Sequence, residues 1–355
     1  MNHKEAFMFN RSPGGYGGQR PPKTYDFISL PDSVIRQKVP GHSLLKHDLY
    51  TGTLEFVLRT LTPVFVSSGQ PALSESLGMN PGGVIQAHYR IGDRIAIPGS
   101  SLKGAVRSTA EAVSASCLNI TRASRRDLPD AFNIDCTTDA ACTACILFGM
   151  SGRSREAYSG HVHFHDAVLQ KGRTRLFRMP ALFRPRPESA FYRKTSRKFK
   201  GRKFYKHYRP NEDRRGVESE AILPDSLLAG KIEFTNLTES QLGLVFYSMG
   251  CGTHIQLKLG GGKPKGLGSL KTEPKRLILS SVKEIFLNDP DKTAISVYEN
   301  AALIERIQRS IISTKQNKFF LNKQAEELEK LLHFNPDTLE DVPSEVIFRG
   351  GRQWR

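Results

Sequence analysis

An α+β fold is predicted by three observations. Four short stretches alternate apolar with polar residues, as half-buried strands do: Leu54–Leu58, His161–His165, Lys231–Phe234 and Ile255–Leu259. Two longer stretches, Leu102 to Val113 and Leu242 to Met249, repeat apolar residues at helical spacing. The six elements occur in the order β, α, β, β, α, β, the ferredoxin-like (RRM-like) plan of a four-stranded antiparallel sheet with two helices on one face. Many RNA-binding modules and some unrelated enzymes share that plan.

Residues 1–24 read as a flexible arm, because RSPGGYGGQRPP at 11–22 carries no core-forming pattern. The strand at Leu54 is expected to run past Pro63 into Val64-Phe65-Val66, followed by a Gly/Ser/Pro loop over Ser67–Gly83. Ser100 or Ser101 is the expected N-cap of the first helix, which extends to about Ser116. In the second helix, Thr238 with Gln241 forms a capping-box pattern, and Gly250 marks the stop. The core domain spans 25–275 and carries two insertions, a cysteine loop at 117–149 and a basic-aromatic segment at 171–229. Beyond it, 276–355 is a helical C-terminal extension with apolar stripes through Leu303, Ile307 and Ile311 and through Phe319, Ala325 and Leu328.

With 355 residues, 38% hydrophobic and 25% charged, the chain has the composition of a globular protein. Its longest apolar stretches, such as Leu61–Val66, are too short to cross a bilayer. No apolar segment follows the first residues as in a secretory signal, and five cysteines, four of them clustered, do not suit an extracellular disulfide framework. A cytoplasmic protein without a membrane partner is the expectation.

Charge is concentrated. Between Lys171 and Arg215 lie seventeen of the 52 Lys and Arg residues against three acids, a net +14 of the formal +17. Phe177, Phe183, Phe191, Tyr192, Phe199, Phe204, Tyr205 and Tyr208 are threaded through them. Cations beside stackable rings suit single-stranded nucleic acid, whose phosphates need neutralising and whose bases expose π-faces. The alternative is a solvated basic loop or disordered arm, which is ordinarily poor in aromatics.

Cys117, Cys136, Cys142 and Cys145 contain one CxxC knuckle, and a four-thiolate set of this kind binds structural Zn2+. The loop between them has little apolar content, so a metal would supply order that a core cannot. Ordinary buried thiols are the alternative, and Cys251, distant in sequence, reads as core. His161, His163 and His165 would share one strand face. From Gly250 to Gly268, seven glycines accompany Lys258, Lys263 and Lys265. Such a segment either converges its amides on a phosphate or forms a glycine-rich hairpin without a ligand.

Several segments together resemble the RAMP superfamily of CRISPR proteins, most closely the backbone subunits of type III (III-D/III-E-like) complexes. They are LTPVFVSSG at 61–69, IPGSSLKGAVR at 97–107, CTACILFG at 142–149, SGHVHFHDA at 159–167, GRKFYKH at 201–207 and the glycine-rich segment at 250–268. The resemblance implies an RNA-binding subunit that polymerises along CRISPR RNA with other RAMP-type subunits and holds the guide–target RNA duplex in antiviral defence. It also implies guide contacts at Ser100, Ser101, Lys103 and Arg107, and at Gly261, Gly262, Lys263 and Lys265; Lys198, Arg202, Lys203 and His254 are further candidates. Relatives that cut target RNA use an aspartate in the loop before the Pro-Gly-Ser-Ser segment, with a divalent ion such as Mg2+. Here that loop has Glu75 as its only carboxylate, and Asp26 lies upstream, so these two are the weak catalytic candidates. A metal-free endoribonuclease that matures CRISPR RNA, with His254 and Lys258 as its groups, is the remaining enzyme reading.

Overall fold

The computed structural model describes residues 23–79, 83–118, 124–151, 156–180, 182, 192–194, 198–214, 216–280 and 295–343. Residues 1–22 of the expected arm, and Phe183 and Phe191 of the basic tract, lie outside them. The described chain is mixed α+β. At its centre, β1 (Tyr50–Thr60) buries Leu54, Phe56 and Leu58 on one face and leaves Glu55, Val57 and Arg59 half-buried on the other. Helix α1 (Gly99–Ala112) and a short α2 (Thr143–Phe148) follow, then β2 (Val162–Phe164), β3 (Ala167–Lys171) and β4 (Leu227–Leu237). Helix α3 (Glu239–Ser248), β5 (Ser269–Ser280), β6 (Ile295–Glu299), α4 (Asn300–Lys315) and α5 (Asn322–Leu331) complete the frame.

The large sheet runs β5, β1, β4, β3 across its middle, with β2 also on β4 and β6 on β5, all antiparallel. Register aligns the apolar rows, with Leu54 opposite both Ile232 and Leu277. Phe56 lies opposite Gly230, where a Cβ would meet its ring at 2.8 Å. The capping box of α3 forms as the sequence predicts: the Gln241 amide donates to Thr238 Oγ1, and the Thr238 amide to Gln241 Oε1.

Four sequence expectations are corrected. Strand β1 stops at Thr60, because Pro63 lacks the N–H a ladder needs, and only an isolated bridge joins Val64 to Ile222. The expected loop after it instead contains a strand, Ser67–Leu73, and a 3-10 turn, Ser74–Leu77, that carries Glu75. Helix α1 starts at Gly99 with Pro98 as its N-cap; in place of a serine cap, the Gly99 amide donates to Asp166 Oδ1 at 2.7 Å, and the helix ends at Ala112. The fourth central strand is β5, whereas the alternating stretch Ile255–Leu259 contributes only the two-residue Leu257–Lys258. Pro274 and four charged residues mask β5 in the sequence, and the proline sits where the register shifts, at a bulge.

A second sheet orders Thr174–Met179, Val217–Ile222, Val84–His88 and Ser67–Leu73 side by side. Its buried Glu220 takes a bidentate pair from Arg90, at 2.6 Å to each oxygen, and an N–H from His88. Arg90 belongs to a strand of the large sheet, so this carboxylate ties the two sheets together.

The C-terminal helices share the main core. Leu303, Ile307 and Ile311 of α4 are buried there, each contributing about 2 kcal/mol. Arg306 pairs with Glu239 at 2.6 Å, and Thr314 donates to the Ser240 carbonyl at 2.7 Å. Helices α3 and α4 approach so closely at Gly243 that a Cβ would stand 2.0 Å from the Ser310 carbonyl oxygen. Gly243→Ala is therefore expected to destabilise the protein by about 2 kcal/mol or more, read as a lower midpoint of denaturant unfolding. An unchanged midpoint contradicts this docking.

Candidate metal centre and nucleic-acid interface

The loop after α1 and the start of α2 bring Cys117, Cys136, Cys142 and Cys145 together. Their sulfurs all lie within 4.8 Å of one another, and all four residues are buried. Cys117 Sγ stands 3.6 Å from both Cys142 Sγ and Cys145 Sγ. Thiolates about 2.3 Å from one tetrahedral ion lie about 3.8 Å apart, so the donor set and its spacing fit a single metal ion. Backbone amides reinforce the sulfurs: Cys117 N–H donates to Cys142 Sγ at 3.4 Å and Cys142 N–H to Cys136 Sγ at 3.3 Å. Hydrogen bonds from Cys117, Cys142 and Cys145 hold the Cys136 thiol below its ordinary range, against the opposing effect of burial.

A charged layer encloses the cysteines. Arg107 donates through Nε to Glu111 at 2.7 Å, through Nη1 to the Gly149 carbonyl at 2.7 Å and through Nη2 to Cys145 Sγ at 3.5 Å. The second oxygen of Glu111 pairs with Arg202, which also donates to the Cys117 carbonyl at 3.2 Å. Two guanidiniums thus share one buried carboxylate beside four sulfurs, and their surplus positive charge would offset the negative charge of the sulfurs if they held a divalent ion as thiolates. Sequence reasoning missed Glu111; its signal was the i,i+4 spacing from Arg107 on α1.

Arg202 belongs to strand Gly201–Tyr205, which pairs with Tyr25–Ser29 as a two-stranded ribbon. One ribbon face carries Ile28, Arg202 and Phe204 and packs onto the core. The other carries Tyr25, Phe27, Lys203 and Tyr205, all half-buried. The basic tract therefore divides. Arg193 pairs with Asp127 at 2.8 Å, and Lys198 donates to the Leu128 carbonyl at 2.6 Å, so with Arg202 they clasp the cysteine loop. Lys194 and Lys200 are exposed.

The expected guide contacts are placed unevenly. Ser100 is exposed and Ser101 half-buried in the first turn of α1, Lys103 is half-buried with its pKa lowered chiefly by burial, and Arg107 lies in the charged layer around the cysteines. In the glycine-rich segment, Gly261 N–H donates to the Phe65 carbonyl at 2.8 Å and Gly268 N–H to Pro63 at 2.9 Å, while the Gly266 and Leu267 amides close turns within the loop. Gly262 and Gly266 adopt φ of +68° and +88° around that turn. Lys258 Nζ donates to the Gly266 carbonyl and to Ser269 Oγ, and Lys263 Nζ to the Gly260 carbonyl. Lys265 is buried near Asp213. The segment is thus a braced turn whose amides point largely inward. His254 is exposed, with its ring 5.6 Å from His333.

Neither catalytic candidate gains a partner carboxylate. Asp26 lies on the ribbon and accepts from the Phe27 amide, while Glu75 is exposed at the rim of the second sheet. The three strand histidines do not share a face either: His161 is buried and bonded through Nδ1 to the Thr235 carbonyl, His163 is exposed, and His165 pairs with Glu233 at 3.2 Å.

A family model described as the RAMP superfamily matches residues 57–271, and the chain belongs to that superfamily. No curated protein matches the sequence. Among solved structures, the chain is similar to the Csm3–Csm4 subcomplex of the type III-A CRISPR-Cas interference complex, at 14% identity and a TM-score of 0.39, over 76% of this chain and 97% of that one. Among the described residues, no helix is long and apolar enough to cross a membrane.

Glu111→Gln would leave two buried guanidiniums without countercharge. Its expected effect is a loss of about 3 kcal/mol in unfolding free energy, measured by urea titration; a loss within error of zero contradicts a structural role for the triad.

Proposed function

We propose that this chain is an RNA-binding backbone subunit of a type III-like CRISPR ribonucleoprotein, one that holds guide RNA and the guide–target duplex beside other RAMP-type subunits. Membership of the RAMP superfamily, joined to a cationic and aromatic ribbon seated on the fold, is the observation that carries this function. The strand order β5, β1, β4, β2/β3 with α1 and α3 supports a ferredoxin-like core. The domain is taken as 25–275 and the extension as 276–355, which shares the core rather than hanging from it. Zn2+ is the proposed ion at Cys117, Cys136, Cys142 and Cys145, with a structural role, since four buried thiolates leave no open position for substrate.

Assembly is favoured over catalysis. Lys258 is held against Gly266 and Ser269, so it does not stand beside exposed His254 as an acid–base partner for CRISPR RNA maturation. Asp26 sits on the two-stranded ribbon and Glu75 in the 3-10 turn beside the second sheet, and they form no pair for Mg2+.

The protein, purified with its natural partners, is expected to carry RNA and about one zinc per chain. With about six phosphates neutralised, log K for single-stranded RNA against log salt is expected to slope near −4. A slope near zero, or a folded preparation without metal, contradicts the corresponding half of the proposal.

A further inference from the structure

We infer that the outward face of the ribbon formed by Tyr25–Ser29 and Gly201–Tyr205 is a stacking platform for unpaired RNA bases. This rests on the RNA-binding function proposed above and assigns one of its contact sites. Strand pairing sets Tyr25 opposite Tyr205 and Phe27 opposite Lys203, so that all four share a face. Tyr192 joins them from the neighbouring loop, its ring 5.3 Å from Phe27 and 5.8 Å from Tyr25. Tyr25 and Tyr205 meet nearly edge to face at 5.9 Å.

Lys203 lies among these rings. Its Nζ is 3.8 Å from the centre of the Tyr25 ring and 4.6 Å from that of Tyr205, and it donates to the Tyr192 hydroxyl at 3.2 Å. Rings and a hydroxyl are the neighbours of this ammonium; among the described residues no carboxylate pairs with it. Lys263 of the glycine-rich turn is close enough for the Lys203 charge to add to burial in lowering its pKa, so two separate basic motifs meet at this edge.

A purely structural aromatic cluster belongs under the ribbon, where Ile28 and Phe204 already pack. Three tyrosines and a phenylalanine on the opposite face stay half-exposed instead, grouped around a cation that no carboxylate among the described residues pairs with. Aromatic rings offer sequence-tolerant stacking to any base, and the ammonium supplies the charge for a flanking phosphate. Exposed Lys194 and Lys200 extend that charge beside the platform. Unpaired RNA brings bases for the rings and phosphates for the lysines within one chain, and is the occupant this chemistry favours.

The test is fluorescence anisotropy of the full chain with a short oligouridine and with an abasic ribose-phosphate oligomer of equal length. Wild type is expected to bind the base-bearing oligomer about tenfold more tightly. Tyr25→Leu and Tyr205→Leu are each expected to weaken oligouridine binding about tenfold while leaving abasic binding and the salt slope unchanged, and Tyr25→Phe to restore it. Equal binding of the two oligomers by wild type overturns the platform, and needs no variant to fold. Binding of neither oligomer removes the RNA-binding function itself, and the inference with it.

Discussion

The buried carboxylate of Glu111 holds together parts of the chain that have little else in common. It takes Arg107 from its own helix and Arg202 from the basic insertion, and both guanidiniums reach on to the cysteine cluster, one to a sulfur and one to a carbonyl. A buried carboxylate or guanidinium alone is strongly unfavourable, and so are four clustered thiolates without an ion. Placed together, the carboxylate, the two guanidiniums and the sulfurs compensate one another, and a metal ion on the sulfurs would complete that compensation. The ribbon and the cysteine loop are therefore expected to be ordered together or not at all.

This coupling accounts for the distribution of positive charge. A net +14 insertion would repel itself if all of its cations faced solvent. Arg193, Lys198 and Arg202 instead turn inward to the cysteine loop, and Arg175 and Arg178 pair with Glu212 and Glu218. What remains outside is a smaller set of lysines next to aromatic rings, an arrangement suited to gripping a polyanion without depending on its sequence. The glycine-rich turn likewise turns cationic side chains inward, since Lys258 and Lys263 donate to its carbonyl oxygens at Gly266 and Gly260.

Local signals in the sequence were legible where one element decided its own structure. Alternation around Phe56, the capping box at Thr238 and the CxxC at Cys142 are all of this kind, and each matches the folded chain. Features decided by distant partners were not. Strand β5 hides behind Pro274 and its charges because β1 and β6 supply the pairing on either side. The first amide of α1, that of Gly99, is satisfied by Asp166, far along the chain, rather than by the nearby serines. Arg107, Lys258 and Lys263 look like phosphate ligands in a linear sequence, and only the fold reveals the acceptors they already have. The face that Tyr25 and Phe27 share with Lys203 and Tyr205 is not legible in the sequence, because a two-residue alternation upstream of the core does not announce which strand it will meet.

The most direct measurement of the central claim is amide hydrogen exchange on the metal-loaded protein and on protein stripped by a chelator. Protection is predicted to fall in residues 25–29, 201–205 and the cysteine loop, while β1 and β4 keep theirs. Protection of the ribbon that is the same with and without metal would show that it does not depend on the centre beneath it, and would contradict the account.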